Sequence, residues 1–142
     1  MSTSTKPSVL FLCTGNSARS QMAEGWLRHL AGERFDVFSA GTQPVGLNPG
    51  SVEAMRECGI DVSQHRSKHV DEFAGQTMTY VVTVCDRAKE TCPIWPGRTT
   101  VIHWSFDDPA GVADAEARRA SFRRVRDEIR RKIEGWLQSV AG

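Results

Sequence analysis

A chain of 142 residues has the size of one domain with a hydrophobic core, and we expect residues 1–142 to form a single domain with a flexible tail over residues 1–7. Eighteen Lys and Arg against 17 Asp and Glu exclude the bulk charge that is typical of nucleic-acid or membrane-surface partners. The sequence shows no signal peptide and no apolar run of roughly 20 residues, which predicts a cytoplasmic protein without a membrane partner. We also expect a monomer.

The first half of the chain alternates apolar runs with helical periodicity. A strand is predicted over residues 9–12, followed by a helix that ends near Gly32. A second strand is predicted over residues 35–40, and a short helix runs from Pro49 until Gly59 stops it. Cys58 shares the apolar face of that short helix, so we interpret it as a packed thiol.

The second half continues the alternation. We expect a short helix near residues 68–73, a strand over residues 80–84 and a fourth strand over residues 99–104. The final helix has one apolar stripe, formed by Phe122, Val125, Ile129, Ile133, Trp136 and Val140. We interpret its arginines as a solvated outer face: Arg118, Arg119, Arg123, Arg124, Arg126, Arg130 and Arg131.

Strands separated by helices need crossover connections, which favour a parallel sheet covered on both sides. The prediction is therefore an α/β fold, a three-layer doubly wound four-stranded parallel sheet in the order 2-1-3-4. Ligands bind such sheets beyond the carboxyl ends of the strands, where the strand order reverses. Cys13, Cys85 and Asp108 follow the ends of the first, third and fourth strands, so we expect all three at this edge.

The most informative segment is Cys-Thr-Gly-Asn-Ser-Ala-Arg-Ser, residues 13–20, directly after the first strand. Its amides can point at a common centre, Gly15 and Asn16 tolerate a positive φ, and Arg19 can close over a tetrahedral oxyanion. A thiol at a helix N-terminus beside an arginine ionises readily, so we expect Cys13 to be a thiolate nucleophile that the Ser20 hydroxyl hydrogen-bonds. The alternative is a buried strand-end cysteine without chemistry. The predicted oxyanion-binding residues are Thr14, Gly15, Asn16, Ser17, Ala18, Arg19 and Ser20.

Cys85 and Cys92 are the second informative feature. Seven residues apart in a helix, their Cα atoms would lie roughly 10 Å apart, whereas a disulfide needs roughly 4.4–6.8 Å. A bond between them would require the segment to unwind, which suggests a device that carries an oxidising equivalent from the site to the surface. The alternative is a pair of unrelated thiols.

Several motifs together resemble one family, the arsenate reductases built on the low-molecular-weight tyrosine phosphatase fold. They are residues 13–20, Ser-Ala-Gly-Thr at 39–42, Gly-Ile-Asp-Val-Ser at 59–63, Val-Thr-Val-Cys-Asp at 82–86, Cys-Pro-Ile-Trp-Pro at 92–96, and His-Trp-Ser-Phe-Asp-Asp-Pro-Ala at 103–110. The resemblance covers nearly the whole chain and implies that fold.

The resemblance also implies a mechanism and its residues. Cys13 would attack arsenate held by the loop amides and Arg19, and Asp108 would act as general acid. Cys85 would then attack the sulfur of Cys13 and expel arsenite, leaving a Cys13–Cys85 disulfide. Cys92 would attack Cys85, and thioredoxin would reduce the resulting Cys85–Cys92 disulfide; no cofactor is implied. One disulfide supplies the two electrons that arsenate reduction needs.

Two positions depart from the commoner family pattern. Ala18 stands where many relatives have a second loop cysteine, a loss that should not matter to the relay. Lys68 stands where some relatives supply a carboxylate to a potassium site, together with the positions of Asn16, Glu24 and Ser39. An ammonium group there could supply the charge itself, so we predict neither bound potassium nor any other metal.

Three alternatives stay open at this point. The reductant could be glutathione with glutaredoxin instead of thioredoxin. A phosphotyrosine phosphatase would use the same Cys13, Arg19 and Asp108, although Ala110 replaces its usual aromatic residue and the single tyrosine, Tyr80, lies on a predicted buried strand. A metal-binding or redox-sensing protein would use the cysteines with His103, but the chain lacks the paired Cys-x2–4-Cys knuckles of zinc sites.

Overall fold

A four-stranded parallel sheet organises the protein in the computed structural model, which describes residues 6–73, 75–84 and 99–140. The strands are β1 (Ser8–Cys13), β2 (Asp36–Gly41), β3 (Tyr80–Thr83) and β4 (Thr100–His103). Their order is β2-β1-β3-β4, and every neighbouring pair is parallel. The predicted fold class and strand order are therefore confirmed.

Three α-helices and two 3-10 turns are described: α1 (Arg19–Ala31), α2 (Pro49–Arg56), α3 (Ala115–Val140), and the turns Val70–Phe73 and Pro109–Gly111. The predicted short helix near residues 68–73 is thus a single 3-10 turn. Helix α1 packs against both α2 and α3. None of the described helices is both long and apolar enough to cross a bilayer.

The centre of the core is β1, because it has a strand on either side. Val9, Leu10, Phe11 and Leu12 are completely buried, as the continuous apolar run predicts for a central parallel strand. The end of this strand, Cys13, lies between the ends of its two neighbours. The sheet therefore fixes the position of the loop that follows.

Helix α2 begins and packs for identifiable local reasons. The Asn48 side chain caps it by accepting from the Gly50 N–H at 2.8 Å, and Pro49 occupies the first turn, where an N–H is not needed. Gly50 lies against α3, since a Cβ atom there would come within 2.6 Å of the Phe122 ring. This glycine therefore lets α2 and α3 approach closely.

The apolar stripe of α3 is confirmed. Phe122, Val125, Ile129 and Ile133 are buried, while Trp136 and Val140 are partly buried against the core. Tyr80, which we expected to be buried, is half-buried and packs edge-on against Trp136 with ring centroids 5.1 Å apart.

The solvated-face interpretation of the α3 arginines is wrong at Arg126, which is 9% exposed. This side chain follows Val125 on the inner face of the helix, where it donates to the Ala54 carbonyl and to Glu57, both at 2.9 Å. It also pairs with Asp127, so the buried charge is neutralised and hydrogen-bonded. Among the other six arginines Arg118 is half-buried, and the remaining five are exposed.

The close approach of α2 and α3 predicts opposite effects for two glycine substitutions. Gly50→Ala should lower stability by about 1–3 kcal/mol because its methyl group would collide with Phe122. The control is Gly135→Ala on the exposed side of α3, where a Cβ atom meets nothing within 4 Å and should add about 0.5–1 kcal/mol. Urea unfolding of both variants measures this; equal effects would contradict the proposed packing.

The ion pairs of Glu57 predict a specific acid sensitivity. Hydrogen bonds from Arg123, then from Arg126, lower the pKa of Glu57 to about 2 from 4.5. Because the folded-state pKa lies below the unfolded value, the stabilisation is present above pH 4.5 and is lost as the pH falls towards 2. We expect Glu57→Gln to flatten the fall in the free energy of unfolding over this interval, as measured by urea titrations at successive pH values.

Candidate active site

Each backbone carbonyl of the loop after β1 accepts a hydrogen bond from outside the loop. The donors are Thr42 N to Cys13 O (3.2 Å), Gln43 N to Thr14 O (2.8 Å), Val45 N to Gly15 O (3.0 Å), Gln21 Nε2 to Asn16 O (3.1 Å), Asn48 N to Ser17 O (3.0 Å) and Met22 N to Ala18 O (2.9 Å). The segment 42–48 thus runs along the loop and holds four of these six carbonyls. These surroundings fix the directions of the loop carbonyls.

The carbonyl directions determine where the amides point. In a trans peptide the N–H points away from the carbonyl of the same unit, and no described peptide is cis. The Gly15 carbonyl, for example, faces Val45, and the N–H of the same peptide, on Asn16, donates to Cys13 Sγ at 3.1 Å. Carbonyls turned outward therefore leave amides turned towards the sulfur, an arrangement suited to an anion.

The asparagine and the glycines at the loop are required for different reasons. Asn16 has φ 47°, as we expected. The same expectation is wrong for Gly15, which is not among the residues with positive φ. Its lack of a side chain makes room for Val45, whose Cγ2 would lie 3.0 Å from a Cβ atom there. Gly41, at the end of β2, is more constrained, since a Cβ atom would lie 2.5 Å from the Thr14 carbonyl oxygen.

The sulfur of Cys13 lies at the base of this loop and is only 3% exposed. Ser20 Oγ lies 2.8 Å from it, which confirms the hydrogen bond that we expected, and the Asn16 N–H is a second contact. Hydrogen-bond donors directed at a sulfur stabilise its thiolate form. Cys58, by comparison, is a half-buried thiol that packs against the core, as we expected, but it lies in the turn after α2, which ends at Arg56, and not on the helix face that we predicted.

The Asn16 side chain joins the loop to its supports. Fully buried, it donates through Nδ2 to Ser20 Oγ at 2.8 Å and to Ser39 Oγ at 3.0 Å. Its Oδ1 accepts from Gln21 Nε2 at 3.1 Å and from the Lys68 N–H at 2.9 Å. This amide therefore links α1, β2 and the segment near residue 68 around the nucleophile.

Behind Asn16 lies a buried carboxylate, Glu24, which is 5% exposed. It accepts from the Ser39 hydroxyl, and Arg28 pairs with it at 2.6 Å. Lys68 Nζ lies 3.9 Å from Glu24 Oε1 and donates to the Arg66 carbonyl at 2.9 Å. Burial lowers the pKa of Lys68. An ammonium group thus stands beside this carboxylate; that it replaces a potassium ion stays a prediction.

His65 and Gln21 belong to the same network, although no motif in the sequence selects either residue. His65 Nδ1 lies 3.0 Å from Gln21 Oε1, and its Nε2 lies 3.1 Å from Arg28, which can only donate. The ring therefore accepts at Nε2 and donates from Nδ1, as a neutral imidazole does. Burial is the main cause that lowers the pKa of His65, in keeping with this form.

A cleft of about 640 Å³ opens above the loop, and Cys13, Arg19 and Asp108 all line it. Arg19 Nη1 donates to the Phe106 carbonyl at 3.1 Å, which ties the guanidinium to the segment that carries Asp108. Asp108 accepts from the Ala110 N–H at 3.0 Å and so caps the turn Pro109–Gly111. The structure therefore brings three of the five predicted catalytic side chains to one cleft.

The remaining two, Cys85 and Cys92, lie outside the described residues. The chain before them is described to Val84, whose N–H donates to the Leu12 carbonyl at 2.9 Å.

His103, the candidate ligand of the alternative metal site, lies 2.6 Å from Thr83 Oγ1 through its Nδ1. Within residues 6–73, 75–84 and 99–140, no three His, Cys, Asp or Glu side chains are grouped for metal binding.

Comparisons with known proteins agree with this architecture. Residues 8–142 match the family described as low molecular weight phosphotyrosine protein phosphatase. An arsenate reductase from Halalkalibacterium halodurans is 45% identical over 135 residues, which cover 94% of this chain and 97% of that protein.

Solved structures are similar over most of the chain. An arsenate reductase in the phosphate binding state aligns with a TM-score of 0.78 and 27% identity, covering 94% of this chain and 98% of the other. A thioredoxin-dependent arsenate reductase from Corynebacterium glutamicum aligns with a TM-score of 0.72 and 27% identity, covering 97% of this chain and 65% of the other.

The contact between β2 and the loop predicts the effect of one substitution. Gly41→Ala would push a methyl group against the Thr14 carbonyl and the Asn16 amide, so the loop could not keep its inward amides. We expect at least a tenfold loss in the ability of inorganic phosphate to protect Cys13 from iodoacetamide. Gly135→Ala, remote from the cleft, is the control, and unchanged protection in Gly41→Ala would contradict the assignment of this loop as an anion site.

Proposed function

The chain belongs to the low-molecular-weight phosphotyrosine protein phosphatase family, and we propose that within this family it is an arsenate reductase with Cys13 as nucleophile. The observation that carries the proposal is the arrangement of the 13–18 loop, with its carbonyls held outward and the Cys13 sulfur at its base. Arsenate is a tetrahedral oxyanion of the size and charge that such a loop binds. The name of the relative from Halalkalibacterium halodurans supports this choice of substrate.

In the first step, arsenate lies against the loop amides with Arg19 over its oxygens. The Cys13 thiolate attacks the arsenic atom, an S–As bond forms, and one As–O bond breaks. Asp108, which lines the same cleft, donates a proton to the departing oxygen so that it leaves as water. Arsenic is still pentavalent in the resulting thiol adduct, so no electrons have yet been transferred to it.

The second step is the reduction. The thiolate of Cys85 attacks the sulfur of Cys13, the S–As bond breaks, and its electron pair remains on arsenic, which leaves as arsenite. The product is a Cys13–Cys85 disulfide, so two thiols supply the two electrons. The Val84 N–H bond to Leu12, one residue before Cys13, supports Cys85 as the attacking thiol, because it brings the chain alongside the end of β1.

The third step regenerates the nucleophile. Cys92 attacks Cys85, which releases Cys13 as a thiol and leaves a Cys85–Cys92 disulfide. We propose thioredoxin as the reductant of that disulfide, supported by the presence of both cysteines and by the name of the thioredoxin-dependent structural neighbour. Glutathione with glutaredoxin is the alternative reductant, and it would make Cys92 dispensable.

Phosphotyrosine hydrolysis is the second candidate function, because the family description names it and the same Cys13, Arg19 and Asp108 would serve it. Against it, the described residues that line the cleft include no aromatic side chain; Val45 and Ala110 stand among them instead. A phenyl ring would therefore lack a described stacking partner there.

The relay predicts different defects for two cysteine substitutions. In an assay of arsenate-dependent NADPH consumption with thioredoxin and thioredoxin reductase, Cys13→Ser should abolish reduction. Cys92→Ser should form about one arsenite per protein, measured directly, and consume no NADPH, since the first disulfide forms but is not passed on to thioredoxin. Cys58→Ser is the matched control, because this thiol packs away from the cleft.

Three outcomes would contradict the proposal at different steps. Steady turnover by Cys92→Ser with thioredoxin would exclude the relay. Turnover of the unmodified protein only with glutathione and glutaredoxin would retain arsenate reduction and reject thioredoxin. No arsenate reduction with either reductant, together with hydrolysis of an aryl phosphate, would favour the phosphatase.

A further inference from the structure

We infer that Ser67 is a positioning residue for the Cys13 sulfur and that it acts through the peptide between Gly15 and Asn16. This inference deepens the proposed function, since it takes Cys13 as the nucleophile. It concerns the state of the thiol before any substrate binds, so it can be tested without arsenate.

The geometry is a short chain of hydrogen bonds. Ser67 Oγ donates to the Gly15 carbonyl at 3.1 Å and accepts from the Gly46 N–H at 3.1 Å. At the other end of the same peptide, the Asn16 N–H donates to Cys13 Sγ at 3.1 Å. The Ser67 hydroxyl is therefore separated from the sulfur by a single peptide group.

A peptide group transmits polarisation from one end to the other. A donor on its carbonyl oxygen withdraws electron density and strengthens the hydrogen bond that its N–H makes, by roughly 10–30% per bond. When the acceptor of that N–H is a thiolate, the stronger bond favours the charged form of the sulfur. Ser67 also fixes the plane of the peptide, so the N–H keeps its direction towards Cys13.

Another serine provides an internal comparison. Ser51 Oγ lies 3.1 Å from the Ser17 carbonyl oxygen and 2.6 Å from the Asn48 carbonyl oxygen, so its single proton is shared between two acceptors. The Ser17 carbonyl also accepts from the Asn48 N–H. The N–H of that peptide belongs to Ala18, whereas the amide that contacts the sulfur belongs to Asn16. Both serines buttress the loop, but only Ser67 does so at the peptide that reaches the nucleophile.

The charged groups around Cys13 are unchanged by a substitution at Ser67. Arg19 and Asp108 face the sulfur from the cleft. Behind the loop, Glu24, His65 and the backbone N–H of Lys68 connect to it through the buried amides and hydroxyls of the Asn16 network. A change in the titration of Cys13 after removal of the Ser67 hydroxyl would therefore report on the hydrogen-bond chain.

The variant also leaves the loop its other supports. The Gly15 carbonyl keeps the Val45 N–H at 3.0 Å, the Thr14 carbonyl keeps the Gln43 N–H, and the Asn16 carbonyl keeps Gln21 Nε2. Ser67 itself is half-buried. The pair Ser67→Thr and Ser67→Val is nearly equal in shape and differs in the hydroxyl, so it separates the hydrogen bond from packing.

The experiment measures the alkylation rate of Cys13 by iodoacetamide as a function of pH, with mass spectrometry of the peptide that contains Cys13. Ser67→Val and Ser67→Ala should move the midpoint up by about half a pH unit, which is a roughly threefold loss of thiolate, and of alkylation rate, at pH values well below the midpoint. Ser67→Thr should keep the original midpoint. Ser63→Ala should also keep it, because this exposed serine donates to Asp61 and does not contact the loop.

Two results would overturn the inference. One is an unchanged midpoint in Ser67→Val while circular dichroism shows an intact fold. The other is an equal shift in Ser51→Ala, which would mean that any loosening of the loop changes the thiol. Because alkylation needs neither arsenate nor a reductant, the inference and the proposed function can fail separately.

Discussion

The outward orientation of the carbonyls in residues 13–18 is the constraint on which the rest of the site depends. Six carbonyls are held by donors from segment 42–48 and from the first turn of α1. A backbone that presented carbonyls to the cleft would repel an oxyanion, whatever side chains surrounded it. The sheet contributes by placing the end of β2 beside the end of β1, so that the chain leaving β2 can run along the loop.

Asn16 shows how a costly conformation is retained. A non-glycine residue with φ 47° is disfavoured by about 1–2 kcal/mol, yet its side chain makes four hydrogen bonds with Ser20, Ser39, Gln21 and Lys68 while fully buried. These partners come from α1, β2 and the segment before the first 3-10 turn. The strain is therefore offset by the surrounding structure, and its result is an N–H directed at the Cys13 sulfur.

The sequence predicted those features that arise from local pattern. The contact between Cys13 and Ser20 and the apolar stripe of α3 depend on periodicity or on residues within seven positions of one another. The strand order follows from the alternation of strands and helices, which requires crossover connections. Asp108 was placed by the rule that strand ends share an edge and by the family resemblance. The positive φ predicted for Gly15 was wrong, because a tight loop suggests that conformation, whereas the glycine is required here to leave space for Val45.

The features that could not be predicted are contacts across long separations. Ser67 contacts Gly15, 52 positions away in the sequence, and His65 contacts Gln21, 44 positions away. No local sequence pattern around the serine or the histidine indicates these partners. Arg126 looks like its six arginine neighbours in sequence, and only the docking of α2 turns it into a buried ion-pair partner.

A loop whose directions are already fixed recognises an anion by shape and charge, and phosphate has nearly the same shape and charge as arsenate. On the proposed function, phosphate therefore competes with arsenate for the loop, and binding alone discriminates little between the two anions. Discrimination has to come after binding, since thiols reduce pentavalent arsenic to the trivalent state and do not reduce pentavalent phosphorus. The fixed loop thus makes redox chemistry, and not affinity, the source of selectivity.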